Sequence, residues 1–100
     1  MNKEEMISCF VKGVFEKDFD YMEIIHTLLA VRIGWDKYDS LDNKTGTLLT
    51  KLIERYLVEN GLLTDLGNSY AFSTPQVRKI GELMFSETPT LLDVELMSYC

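Results

Sequence analysis

A regular spacing of apolar residues between positions 47 and 59 is the feature that most constrains the fold of this chain. These residues recur at intervals of one, four and five positions, which places them along one side of an α-helix. Asn60 and Gly61 then end the helix, because both residue types readily adopt the left-handed backbone conformation. The sequence therefore predicts a helix over 47–59 with a buried stripe formed by Leu48, Leu49, Leu52, Ile53, Tyr56 and Leu57.

A β-hairpin and another helix are predicted directly after this helix. Leu62 and Leu63 read as a short apolar strand, residues 65–68 are rich in turn formers, and residues 70–72 alternate as a returning strand. Pro75 then stands in the first turn of a helix, where its missing N–H costs nothing.

This order of elements resembles the second half of a winged helix-turn-helix domain. The resemblance covers roughly residues 20–85 and is carried by Leu57-Val58-Glu59-Asn60-Gly61-Leu62-Leu63, by Tyr70-Ala71-Phe72-Ser73-Thr74 and by Pro75. It implies a mainly α fold (α+β) with four to five helices and one small β-hairpin, the wing. It also implies that the 47–59 helix is a recognition helix for duplex DNA and that the chain regulates transcription.

The nucleic-acid-binding residues implied by the resemblance lie on the solvent side of that helix and in the wing. Early residues of a recognition helix contact base edges, and later ones contact phosphates. The predicted set is Lys44, Thr47, Thr50, Lys51 and Arg55 in the helix, with Asn68, Ser69 and Tyr70 in the wing. The alternative is an ordinary amphipathic helix whose exposed side is basic by chance.

Two features depart from the DNA-binding pattern and favour a protein partner. Glu54 lies in the middle of the predicted DNA-binding side, where its carboxylate repels phosphate. The wing carries Asp65, and residues 64–69 include no Lys or Arg.

Further helices are predicted on both sides of this region. Asn2 caps an N-terminal helix over 2–17, and Asp18 or Asp20 caps a second helix that ends at Gly34. The second helix is apolar nearly all round, which predicts that it is central and buried, and its His26 is assigned a structural or surface role.

The C-terminal helix or tail over 88–100 carries more apolar residues than a small core needs to close. These residues are predicted to bind a partner or a second copy of the chain, although packing on their own domain is the alternative. The predicted partner-binding residues are Leu91, Leu92, Val94, Leu96 and Met97.

Length and charge limit the function. One hundred residues with 46% hydrophobic content predict a single domain over 1–100. The formal net charge of -6 counts against nucleic acid, yet residues 43–80 carry five bases and three acids, which gives that region a net charge of +2. A cytoplasmic protein with no membrane partner is expected, since no apolar run could cross a bilayer and the N-terminus lacks the basic start of a signal peptide.

No catalytic motif is present in the sequence, so an enzyme is not expected. Cys9 and Cys100 lie near opposite ends without a CxxC pair or a Cys/His cluster, which predicts free thiols and neither a metal nor a cofactor. Two hypotheses follow. One is a small winged-helix regulator that binds DNA through the 47–59 helix and is expected to dimerise through its N- or C-terminal helices. The other is an acidic inhibitor or adaptor, of the viral or mobile-element type, that uses the same scaffold to bind a protein and block its nucleic-acid site.

Overall fold

Helices dominate the part of the chain that the computed structural model describes, which is residues 2–65 and 70–98 without the side chains at 65, 70 and 71. The prediction of a mainly α-helical fold is confirmed. Within those ranges the helices are α1 (Lys3–Glu16), α2 (Tyr21–Ile33), α3 (Trp35–Asp39), α4 (Asn43–Glu59), α5 (Thr74–Met84) and α6 (Leu91–Met97), and the strands are β1 (Thr64–Asp65) and β2 (Tyr70–Ala71). None of these helices combines the length and the apolar character needed to cross a membrane.

Side-chain caps fix where the helices begin. The Asn2 side chain accepts a hydrogen bond from the Glu5 N–H at 2.8 Å, and Asp20 does the same for Glu23. These two predicted caps are confirmed. The predicted start of α4 at residue 47 is wrong, because Asp42 accepts from the Thr45 N–H at 2.7 Å and the helix begins at Asn43.

Two glycines with positive φ lie at the ends of α2 and α4. Gly34 has φ 98° and separates α2 from α3, while Gly61 has φ 70° and follows α4. Beyond Gly61, the Leu62 N–H donates to the Leu57 carbonyl at 2.8 Å, so the end of α4 is closed by backbone hydrogen bonds.

The core is built around α2, as its all-round apolar pattern predicted. Its side chains Ile24, Ile25, Leu28 and Leu29 have no exposed surface. Helices α1, α4, α5 and α6 and the segment after α4 add the rest of the core, which includes Val14, Leu49, Ile53, Leu57, Leu63, Val77, Ile80, Met84, Leu92 and Leu96.

Gly81 lets α1 and α5 approach each other closely. A Cβ added at Gly81 would lie 3.1 Å from the Phe10 ring and 3.3 Å from the Ile7 side chain. The missing side chain thus has a packing reason, which offsets the weak helix propensity of glycine inside α5.

The predicted strand at Leu62 and Leu63 is wrong. Both N–H groups donate to the Leu57 carbonyl, so these two donors close the end of α4 and are not available to a strand ladder. Pairing begins one residue later, with Thr64 opposite Ala71 and Asp65 opposite Tyr70. Residues 66–69 lie outside the described part, and the wing stays a prediction.

Candidate nucleic-acid interface

A short helix, a turn and a long helix form the region that the sequence singled out for DNA. α3 is followed by residues 40–42 and then by α4. The turn is held at both ends, because the Ser40 hydroxyl donates to the Lys37 carbonyl at 2.9 Å and Asp42 caps α4. The Thr45 backbone N–H also holds the pKa of the Asp42 carboxyl below its ordinary value.

A hydrogen bond between His26 and Tyr38 fixes α3 to α2. The His26 Nδ1 atom lies 3.0 Å from the Tyr38 hydroxyl, and the two rings meet edge to face. Trp35 packs in turn against Tyr38, with ring centroids 5.9 Å apart. The structure therefore gives His26 a structural contact that orients the segment leading into α4.

The outer face of α4, meaning the exposed side of that helix, carries four of the predicted DNA-binding residues. It also carries two apolar side chains that were not predicted there, Leu48, which is 48% exposed, and Val58, which is 37% exposed. The outer face comprises Lys44, Thr47, Leu48, Lys51, Arg55 and Val58, with the exposed carboxylate of Glu59 beside Arg55.

Thr50 does not belong to the outer face, so its predicted exposure is wrong. Its side chain is buried, with 8% of the residue exposed, and its hydroxyl donates to the Thr47 carbonyl at 3.0 Å. Leu48 shows the opposite error, since it was predicted in the buried stripe. The reason is packing: Thr50 lies on the side of α4 that faces α2, whereas Leu48 lies on the side of Lys44 and Lys51, where no element of the described part covers it fully.

The positive charge on the outer face rests mainly on two lysines. Lys44 and Lys51 are exposed and have no ion-pair partner among residues 2–65 and 70–98. Arg55 differs, because its guanidinium lies 3.9 Å from a carboxylate oxygen of Glu59 and 3.9 Å from one of Glu95. The approach of Glu95 from α6 could not be read from local sequence.

An open groove of about 500 Å³ runs beside the outer face, between α2 and α4. Thr47 and Lys51 belong both to the groove lining and to the outer face, and His26 and Tyr38 also line the groove. Its other lining residues are Met22, Leu29, Leu41, Asp42, Asn43, Gly46, Thr50 and Glu54.

The wing residues of the predicted site are not positioned by the structure. Asn68 and Ser69 lie outside the described residues, and for Tyr70 only the backbone is described. Their assignment to DNA contact stays a prediction.

The predicted partner-binding residues of α6 divide into two sets. Leu92 and Leu96 are buried in the core, so their assignment to a partner is wrong. Leu91, Val94 and Met97, which we call the α6 triad, are 75%, 63% and 75% exposed. The division follows from the helical period, since positions 92 and 96 are one turn apart on the side that packs against the domain.

The ion pair of Arg32 and Asp93 holds α6 in this orientation. Arg32 donates to both Asp93 carboxylate oxygens, at 2.9 and 2.5 Å, and to the Ser86 carbonyl at 2.6 Å. The Thr90 N–H adds a hydrogen bond to Asp93 at 2.7 Å. α6 is thus fixed by polar contacts while its triad stays exposed.

The chemistry of the described residues offers binding groups and no group of metal ligands. No set of three His, Cys, Asp or Glu side chains lies close enough to hold a metal ion within that part of the chain. Cys9 is an exposed free thiol. Comparison with protein-family models, with curated proteins and with solved structures gave no match to this chain.

Proposed function

We infer that this chain is a small non-enzymatic regulator of the winged-helix type that binds duplex DNA through the outer face of α4. The observation that carries the proposal is the pair Lys44 and Lys51, two exposed lysines without ion-pair partners among the described residues, on one side of a helix that follows a short helix and a turn.

The spacing of these lysines suits a major groove. Seven residues of α-helix separate them, a rise of about 10 Å along the axis. The major groove of B-form DNA is about 12 Å wide and admits an α-helix. Lysines at both ends of such a segment can each reach a phosphate while the residues between them approach the base edges.

The proposal predicts a modest electrostatic contribution. Each phosphate contact lowers the logarithm of the binding constant by about 0.9 per tenfold rise in salt. Two contacts give a slope of about -1.8 for each bound protomer. Arg55 adds little to this slope while Glu59 and Glu95 lie beside it.

The experiment is a fluorescence-anisotropy titration of a labelled mixed-sequence duplex over a range of salt concentrations. Wild type is compared with the double variant Lys44→Gln, Lys51→Gln. The matched control is Lys3→Gln, Lys17→Gln, which removes the same charge from the first residue of α1 and from its C-cap. The proposal expects salt-dependent binding that the first variant loses and the control retains. Equal binding by both variants would assign the interaction to net charge and overturn the role of α4.

A second function, binding of a protein partner through α6, is supported by the α6 triad. Three apolar side chains exposed at 63–75% on a helix of seven residues are the type of surface that protein partners cover. The net charge of -6 also suits a basic partner, such as a protein whose nucleic-acid site is blocked. Absence of DNA binding even at low salt would favour this second function.

A further inference from the structure

Leu48 occupies an unusual place on the outer face of α4. It is 48% exposed and lies one helical turn after Lys44 and one before Lys51. A leucine at this position leaves about half of its surface in water, between two cationic side chains. No residue in the described part of the chain covers the Leu48 side chain completely.

The neighbouring Thr47 adds to the apolar character of this segment. Its hydroxyl donates to the Asn43 carbonyl at 2.8 Å, so the hydroxyl proton is engaged inside the helix. A ligand that approaches the segment between the two lysines therefore meets a leucine side chain and a threonine methyl group. Neither group donates a hydrogen bond to a base edge.

One base in DNA presents an apolar group in the major groove. Thymine carries a 5-methyl group there, and apolar side chains recognise it by contact. We propose that Leu48 contacts the thymine 5-methyl group, so that α4 prefers thymine-containing duplex DNA while Lys44 and Lys51 bind the flanking phosphates. This inference rests on the proposed DNA-binding function and adds to it the base that is read and the residue that reads it.

The positive charge around Leu48 favours DNA, with its negative phosphates, as the partner of this surface. The apolar segment lies between two exposed lysines that have no ion-pair partner within the described ranges. The lysines match the phosphates of DNA, and the apolar segment between them matches the thymine methyl group. The α6 triad lacks such flanking lysines on its own helix, and for that reason it is assigned to a protein.

The test compares two duplexes that differ only in the methyl group. One is an alternating A·T duplex, in which every binding register offers thymines to Leu48, and the other replaces each thymine by deoxyuridine. Both are titrated by anisotropy with wild type, with Leu48→Ala and with the control Phe15→Ala, which shortens a similarly exposed apolar side chain in α1. Loss of one buried methyl contact corresponds to about a fourfold loss of affinity.

The expected result is that wild type and Phe15→Ala bind the thymine duplex about fourfold more tightly than the deoxyuridine duplex. Leu48→Ala should bind both duplexes equally and keep the salt dependence of wild type. Any difference in shape between the two duplexes would affect the binding of all three proteins alike, so it cannot produce a preference that only Leu48→Ala loses. Equal binding of both duplexes by wild type, or a preference that Leu48→Ala retains, would overturn the inference alone. Absence of binding to either duplex at low salt would overturn the proposed function as well.

Discussion

Arg55 on the outer face of α4 lies 3.9 Å from Glu95 in α6, so an ion pair links the helix assigned to DNA with the helix assigned to a protein partner. The two side chains are 62% and 46% exposed, which limits the energy of the pair to a fraction of a kcal/mol. Its consequence is electrostatic, because a carboxylate beside Arg55 opposes the approach of a phosphate.

Removing that carboxylate should strengthen DNA binding. In Glu95→Gln, Arg55 becomes more available to a phosphate, and the salt slope should steepen by up to about 0.9. Titration of a mixed-sequence duplex at several salt concentrations measures this slope. The control is Glu16→Gln, which removes the same charge from an exposed ion pair with Lys12 in α1. An identical gain in both variants would show that only net charge had changed.

The ion pair of Arg32 and Asp93 is predicted to stabilise the fold far more. Both side chains are nearly buried, at 12% and 13% exposed, and Arg32→Met leaves the Asp93 carboxylate without its main partner. Hydrogen bonds to charged groups contribute about 2 kcal/mol, which corresponds to roughly 10 °C in Tm for a chain of this size. Thermal unfolding followed by circular dichroism measures the change. Arg78→Met, which breaks an exposed pair with Glu4, should shift the Tm by far less, and equal shifts would contradict the prediction.

The same pair predicts how stability depends on pH. The hydrogen bond from Arg32 holds the pKa of Asp93 below its ordinary value, although partial burial acts in the opposite direction. A carboxyl with a lowered pKa in the folded state contributes stability above its unfolded pKa, about 3.9, and loses it as the pH falls through the folded value. Wild type should therefore exceed Asp93→Asn in stability at pH 7, and the difference should shrink below about pH 4. Urea unfolding at several pH values tests this, and a constant difference would contradict it.

Helix limits were largely predictable because they depend on neighbours in the chain. Asn2, Asp20 and Ser73 cap the helices that follow them through hydrogen bonds spanning three residues. Gly34 and Gly61 adopt positive φ at helix ends for a similarly local reason. The central position of α2 was also predictable, since a helix that is apolar on all sides must be covered on all sides.

The exposure of residues at the border of a helix face was not predictable, because it depends on which element packs there. Thr50 is buried on the side of α4 that faces α2, while Leu48 at the opposite border stays partly exposed. Contacts between residues far apart in the chain could not be predicted from the sequence either. Arg55 and Glu95 are forty positions apart, and no pattern in the sequence links α4 to α6.

The division of α6 into an inner and an outer side gives the last prediction. Replacing the α6 triad, Leu91, Val94 and Met97, by serine should leave the free energy of unfolding nearly unchanged, since these side chains contribute little to the core. Leu92→Ala, which creates a cavity in the core, should cost about 3 kcal/mol. If the triad binds a second copy of the chain, wild type should self-associate in sedimentation velocity as its concentration rises. The association should be weak, because a standard interface buries about 800 Å² on each partner and three side chains cover less than that. The serine variant should then remain a monomer at every concentration. Self-association that persists in this variant would place the contact elsewhere, and a large loss of stability would show that the triad belongs to the core.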